Sequence, residues 1–105
     1  MNTQELDDII TRIEMLGEED ANVLREKGAS YGSSWRKYGG VSAFMNLARK
    51  WDRLIHEAER HNYDVFVAAE VDMRDETILE DIRDLRRYLF LVEEHITTLA
   101  MNKVD

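Results

Sequence analysis

Apolar residues recur at alternating steps of four and three positions between Thr77 and Met101. They are Ile78, Ile82, Leu85, Leu89, Val92, Ile96 and Leu99. This spacing returns side chains to one face of a helix, whereas a strand would need a period of two. Thr77 and Glu80 stand three apart at its start, which predicts a capping box with the Thr77 hydroxyl on the Glu80 amide. The pattern therefore predicts a long C-terminal helix, whose stripe must meet other helices of this chain or of a second copy.

An earlier amphipathic pattern predicts a helix that begins at Asn2 or Thr3. Its apolar residues are Leu6, Ile9, Ile10, Ile13 and Leu16. Glycine is a poor helix former, so we expect a break or kink at Gly17. Val23 and Leu24 continue the apolar face beyond it, and Gly28 is the expected C-cap.

A third pattern predicts a helix with Ser42 as its N-cap that continues to Arg60. Its apolar face carries Phe44, Leu47, Ala48, Trp51, Leu54, Ile55 and Ala58. Residues 61–64 have the composition of a turn, and 65–71 form a short apolar run that favours helix because of Ala68 and Ala69. The three histidines, at 56, 61 and 95, have no mutual metal-ligand spacing and are expected to be surface or partly buried residues.

The segment from Gly28 to Gly40 is rich in glycine, serine and large aromatic residues, and its composition argues against a regular helix. Tyr31, Trp35 and Tyr38 are costly to expose unless they pack against something. Two interpretations stay open. The segment is either a lid on one end of the bundle or a pocket wall, where an aromatic ring stacks on a base while Ser33, Ser34 and glycine amides meet polar groups.

The length of 105 residues suits one domain, covering 1–105. The absence of cysteine excludes disulfides and thiolate metal sites, and no signal peptide or membrane-spanning run is present, so we expect a soluble, cytoplasmic protein without a membrane partner. A net charge of −8 disfavours binding to bulk nucleic acid. The fold class predicted is all-α, a small bundle of three to five helices. Because Phe90 and Leu91 widen the C-terminal stripe, a homo-oligomer is also predicted.

Three acids in the first turns of the C-terminal helix are candidate metal ligands. Asp81 and Asp84 project to one helical face and Glu80 flanks them. Mg²⁺ prefers carboxylate oxygens with room for its own water. The alternative is structural: the acids complement the helix dipole and pair with nearby cations. Those cations are Arg83, Arg87 and Lys50.

Short ordered motifs between Glu26 and Tyr88 carry a family resemblance. They are Lys27, Tyr31-Gly32, Trp35-Arg36, Gly39, Lys50, Arg53-Leu54, Glu80-Asp81, Asp84-Leu85 and Tyr88. The chain resembles nucleotide modification associated domain 1, a small and mostly phage-borne family, with Ser30 where that pattern tends to have an acid. The resemblance implies nucleotide chemistry and an all-helical fold similar to MazG-like and dimeric dUTPase pyrophosphohydrolases.

The resemblance also implies a ligand site and, for an enzyme, a catalytic magnesium site. Ligand-binding candidates are Lys27, Tyr31, Ser34, Trp35, Arg36, Lys50, Arg53 and Tyr88; catalytic and metal candidates are Glu80, Asp81 and Asp84. Tyr31 and Trp35 would face the base, and the cations Lys27, Lys50 and Arg53 the phosphates. The acid pair that MazG-like enzymes carry on the preceding helix is not present as Glu-x-x-Glu. The nearest acids are Asp52, Glu57 and Glu59.

Three functions stay open at this point. The first is a Mg²⁺-dependent nucleoside triphosphate pyrophosphohydrolase that acts on the deoxynucleotide pool in the host cytoplasm. The second is a sponge that sequesters a cyclic or modified nucleotide immune signal without metal or turnover. The third is a purely structural helical dimer.

Overall fold

The computed structural model describes residues 1–31, 33–74 and 77–103, without the side chains of 29–31. Over these ranges the chain forms four α-helices and one 3₁₀ turn, Ser34–Arg36. The helices are α1 (Thr3–Tyr31), α2 (Gly40–Glu59), α3 (Val65–Val71) and α4 (Ile78–Asn102). The predicted all-α fold with a long C-terminal helix is confirmed. Within the same ranges, none of the helices combines the length and apolar character that a membrane span requires.

The chain divides into two compact units, Met1–Ser34 and Trp35–Asp105. The first unit is built on α1, which Asn2 caps: its Oδ1 accepts from the Glu5 amide at 2.8 Å, and its Nδ2 donates to the Glu5 carboxylate at 3.0 Å. The predicted break at Gly17 and C-cap at Gly28 are wrong, since α1 is continuous to Tyr31. One glycine costs a helix about 1 kcal/mol relative to alanine, which neighbouring helix formers can offset.

The second unit begins with the 3₁₀ turn and α2. Gly39, with φ of 85°, is the N-cap of α2, so the predicted N-cap at Ser42 is wrong. The positive φ of Gly39 turns the chain into the helix, so that the N-cap lies three residues before the predicted one. Ser42 Oγ donates instead to the Trp35 carbonyl at 3.5 Å, and Asn46 Nδ2 donates to the same oxygen at 3.2 Å. These bonds tie the 3₁₀ turn to the first turns of α2.

The turn after α2 and the short helix α3 follow the sequence pattern. Asn62 and Tyr63 adopt positive φ angles of 55° and 64°, which reverse the chain. Asp64 then caps α3, its Oδ1 accepting from the amides of Phe66 at 3.1 Å and Val67 at 3.0 Å. The predicted helix over 65–71 is confirmed.

The helix α4 begins after Thr77, whose hydroxyl accepts from the Glu80 amide at 3.4 Å, as predicted. The Glu80 carboxylate accepts from Arg83. Helix α4 packs against α2 and α3. Going forward along α2, ion pairs reach successively earlier positions of α4, so the two helices are antiparallel. The buried apolar residues of this unit are Trp35, Ala43, Ala58, Ala68 and Ile78.

Candidate functional site

A cavity of about 310 Å³ lies between the 3₁₀ turn, the start of α2 and the C-terminal half of α4. Its walls are mainly apolar, and its volume is at the lower end of the range for small-molecule pockets. The lining includes Trp35, Arg36, Gly39, Phe44, Val92 and His95. Two ligand-binding candidates from the sequence, Trp35 and Arg36, are therefore brought together at this cavity.

Three side chains at the cavity contact one another. The Trp35 ring, which is buried, meets the His95 ring edge to face, with centroids 6.1 Å apart and planes at 87°. The Arg36 guanidinium lies 5.4 Å from the Trp35 ring centroid and forms a 2.6 Å hydrogen bond with His95 Nδ1. Because arginine stays protonated, the Arg36 guanidinium is the donor in this bond and His95 Nδ1 the acceptor. A guanidinium with several N–H donors is thus held at the cavity wall.

The N-terminus of α2 also borders the cavity through Gly39 and Gly40. The first amides of a helix have no intrahelical acceptor and carry the positive end of the helix dipole. Among the described residues, no side chain caps α2 at Gly39. A Cβ placed on Gly40 would meet nothing within 4 Å, so the backbone there is open to close approach. An aromatic ring, a guanidinium and a helix N-terminus therefore converge on one cavity.

The predicted phosphate cations on α2 lie further along the helix, where each meets an acid of α4. Lys50 Nζ lies 3.1 Å from Asp84 Oδ2, and 6.0 Å from the centroid of the Tyr88 ring. Arg53 Nε lies 3.3 Å from Asp81 Oδ1. The residues predicted to bind phosphate therefore form ion pairs with the residues predicted to bind metal.

A third cation, Arg74, lies on the other side of Asp81 in this polar region. Its guanidinium binds Asp72 in a bidentate manner, at 3.0 and 2.8 Å, and its Nη2 also donates to Asp81 Oδ2 at 3.0 Å. Asp72 Oδ2 accepts from the Ile78 amide at 2.7 Å. The hydrogen bond with Arg74 holds the pKa of Asp72 well below its usual range, and the same bond raises the pKa of Arg74. The pair stays ionised over the physiological range.

Glu57 adds a third buried carboxylate to Arg74, at 3.5 Å from its Nε. Arg60 Nη1 lies 3.2 Å from the same oxygen, Glu57 Oε2, and His61 Nε2 lies 3.4 Å from Oε1. Buried acids must be paired because desolvation penalises an isolated charge. The Arg74 network, defined as Arg74 with Glu57, Asp72 and Asp81, therefore joins α2, α4 and the segment before α4.

The predicted magnesium ligands can be tested against this arrangement. Asp81 is 1% exposed and lies between two guanidinium groups, Asp84 has the Lys50 ammonium, and Glu80 pairs with Arg83. Mg²⁺ needs carboxylate oxygens with room for its own water. Within the described ranges, no group of three or more acids or histidines is arranged to hold a metal ion. The residues as placed do not fit Mg²⁺.

Three ligand-binding candidates remain, namely Ser34, Lys27 and Tyr31. Ser34 is exposed in the 3₁₀ turn, and Lys27 is exposed on α1. Tyr31 ends α1, but its side chain lies outside the described residues, as does all of Gly32.

Sequence reasoning missed His95, Asp72 and Arg74. His95 could have been found, because it falls three after Val92 and four before Leu99, between two positions of the apolar stripe. The pairing of Asp72 with Arg74 has no periodic signal, since both lie in the short segment between α3 and α4.

Comparisons of the chain with models of protein families, with curated proteins and with solved structures find no match. The resemblance to nucleotide modification associated domain 1 therefore stays a prediction.

Proposed function

We propose that the protein binds a nucleotide in the cavity, with the base beside Trp35 and a phosphate held by Arg36 and the first amides of α2. The observation that carries this proposal is the convergence of an aromatic ring, a guanidinium and a helix N-terminus on one apolar cavity. Aromatic rings stack on bases, and guanidinium groups and helix N-termini bind phosphate. The base and the phosphate of a nucleotide thus each have a matching group.

Electrostatics support the same ligand orientation. With a net charge of −8, the chain repels an anion unless positive charge is concentrated at the binding site. Arg36 and the positive end of the α2 dipole supply it at the cavity. The contacts of Arg36 with Trp35 and His95 hold the guanidinium in place before the ligand arrives, which lowers the entropy cost of binding.

Binding without turnover is the version of this function that the ion pairs favour. The carboxylates of Glu80, Asp81 and Asp84 each have a cationic partner, so a hydrolase would need them released first. For a phage-borne protein, as the resemblance implies, binding alone suits a sponge that lowers the concentration of a nucleotide signal. The pyrophosphohydrolase stays as the alternative because the Glu80 and Asp84 side chains are 43% and 37% exposed.

Tryptophan fluorescence tests the proposal, because the chain has only two tryptophans. In Trp51→Phe the remaining reporter is Trp35 at the cavity, and we expect its emission to change in a saturable manner with one or more nucleotides. The titrated set is the common ribo- and deoxynucleoside mono- and triphosphates and cyclic dinucleotides, with and without Mg²⁺.

Trp35→Phe is the matched control, since it leaves Trp51, which is half exposed on α2 and does not line the cavity. We expect little change in its emission. Binding to the wild type measured by calorimetry, together with a silent Trp35, would place the ligand elsewhere on the protein. No heat and no fluorescence change with any nucleotide of the set would contradict the proposed function itself.

A further inference from the structure

The described residues of the cavity wall carry a single permanent charge. Among them, Arg36 and His95 are the only ones with ionisable side chains, and neither is an acid. The Arg36 guanidinium donates to His95 Nδ1, and an imidazole that accepts a hydrogen bond at this atom is neutral. The charge of this wall therefore comes from one guanidinium, which matches one anionic group on a ligand.

Lys37, Arg49 and Lys50 are close to the cavity in sequence but are not part of its wall. Lys50 Nζ lies 3.1 Å from Asp84 Oδ2, so its charge is neutralised. At about 100° per residue, Arg49 is on the opposite face of α2 from the cavity wall. The Lys37 ammonium lies over the Tyr38 ring, 5.5 Å from its centroid. Because the chain has a net charge of −8, each further phosphate on a ligand gains little attraction and adds repulsion.

The size of the cavity sets a second limit on the ligand. Its volume is about 310 Å³, whereas pockets for small molecules range from about 300 to 1,000 Å³. A cavity at the lower end of this range suits one nucleoside unit. In a dinucleotide the phosphate links two sugars, so a phosphate bound to Arg36 would bring the second nucleoside against the cavity wall.

We infer that the ligand is a mononucleotide with one phosphate group, an inference that rests on the proposed function. Nucleoside 5′-monophosphates and cyclic nucleoside monophosphates share this chemistry, since both have one base and one phosphate. Nucleoside triphosphates exceed the charge that the cavity wall can match. Dinucleotides, linear or cyclic, exceed its volume.

Calorimetry with the full chain tests the inference with sets of ligands that share one base. Each set contains the nucleoside, its 5′-monophosphate, its 3′,5′-cyclic monophosphate, its triphosphate and the dinucleoside monophosphate. For at least one base, we expect a monophosphate to bind about tenfold more tightly than the triphosphate and the dinucleoside monophosphate. The triphosphate has one base and tests charge, whereas the dinucleoside monophosphate has one phosphate and tests volume.

The outcomes separate this inference from the proposed function. A triphosphate or dinucleoside monophosphate that binds as tightly as the monophosphates would overturn the inference and leave nucleotide binding established. Absence of binding by every ligand in the sets would contradict the proposed function, and the inference with it. The separate dissociation constants of the 5′-monophosphate and the cyclic monophosphate show which of the two is the ligand.

Ile96→Lys tests the charge argument by adding a second cation to the cavity wall. Ile96 lines the cavity and is 61% exposed, so a lysine there can keep its ammonium in water. We expect the affinity for the triphosphate, relative to that for the monophosphate, to rise about tenfold. Circular dichroism checks that helix content is preserved. A ratio equal to that of the wild type would overturn the assignment of phosphate number to the charge of the wall.

Leu89→Lys is the matched control for Ile96→Lys. Leu89 lies seven residues earlier on the same helix, is 49% exposed and is not part of the cavity wall. It gains the same charge, and we expect the ratio of triphosphate to monophosphate affinity to stay at the wild-type value. An equal rise of this ratio in both variants would show a general charge effect and overturn the role assigned to the cavity wall.

Discussion

Lys50 Nζ lies 3.1 Å from Asp84 Oδ2, so a predicted phosphate ligand and a predicted metal ligand neutralise each other. This pair also divides the interface between α2 and α4. On one side of it lies the apolar cavity with Trp35, and on the other lies the Arg74 network. The cavity that has room for a ligand therefore lies at a different part of the interface from the buried acids of the Arg74 network.

Asp84→Asn distinguishes binding from hydrolysis. For a binding protein, we expect nucleotide affinity to be unchanged or higher, because the substitution removes an acid and makes the Lys50 charge available. Calorimetry measures the affinity, and an assay for pyrophosphate measures turnover. Pyrophosphate release by the wild type that disappears in Asp84→Asn would instead establish the hydrolase.

Arg36→Gln tests the phosphate contact. A hydrogen bond to a charged group contributes about 1.5 to 3 kcal/mol, so we expect affinity for phosphate-bearing nucleotides to fall by roughly ten- to a hundredfold. Affinity for the corresponding nucleoside should change little. Lys37→Gln, which removes the neighbouring positive charge beside Tyr38, is the control and should have a much smaller effect. Equal losses of nucleotide affinity in the two variants would show that Arg36 acts through long-range electrostatic attraction and not through a direct contact with the phosphate.

Gly39→Ala should destabilise the fold. Gly39 has φ of 85° and ψ of −164°, a region open almost only to glycine, and forcing another residue there costs about 1 to 3 kcal/mol. Urea unfolding followed by circular dichroism measures the loss. Gly40→Ala adds the same methyl group inside α2, where no positive φ is required, and should leave stability unchanged or slightly higher. A Gly39→Ala protein as stable as Gly40→Ala would refute the strain argument.

Arg74→Met should be strongly destabilising. It removes the cation that Asp72 and Asp81 share, although Asp81 keeps Arg53, and losing a hydrogen bond to a charged group costs about 1.5 to 3 kcal/mol. Arg60→Met is the control: Arg60 is exposed and pairs with Glu57, so we expect a loss below about 1 kcal/mol. Chemical denaturation of both variants measures the difference. Similar losses would mean that the Arg74 network contributes little.

The stability of the protein should decrease in acid because of Asp72. The hydrogen bond with Arg74 lowers the folded pKa of Asp72, so its contribution is fully present above the unfolded pKa of about 4. As the pH falls below that value, the unfolded chain binds a proton that the folded chain still excludes, and the contribution is lost on approach to the folded pKa. Urea unfolding between neutral pH and pH 3 measures this slope, which should be shallower in Asp72→Asn. An equal slope in both proteins would exclude Asp72 as its source.

Local sequence rules determined most of the helices. The step of three and four from Ile78 to Leu99 and the hydroxyl of Thr77 were sufficient for α4, and the apolar run 65–71 with Ala68 and Ala69 was sufficient for α3. The rules were wrong where glycine was read as a stop. Gly17 is tolerated inside α1, and Gly39 is the N-cap of α2 in place of Ser42. Glycine allows many backbone conformations, so its presence does not by itself end a helix.

Tertiary structure decided which chemical groups meet. The sequence offered Lys50 both as a phosphate ligand and as an ion-pair partner of the acids, and only the antiparallel register of α2 and α4 decides that it pairs with Asp84. The same register places His95 beside Trp35, 60 residues apart in sequence. Helical periodicity specifies the face on which a side chain lies, whereas its partner depends on packing between helices distant in the chain, which no local pattern encodes.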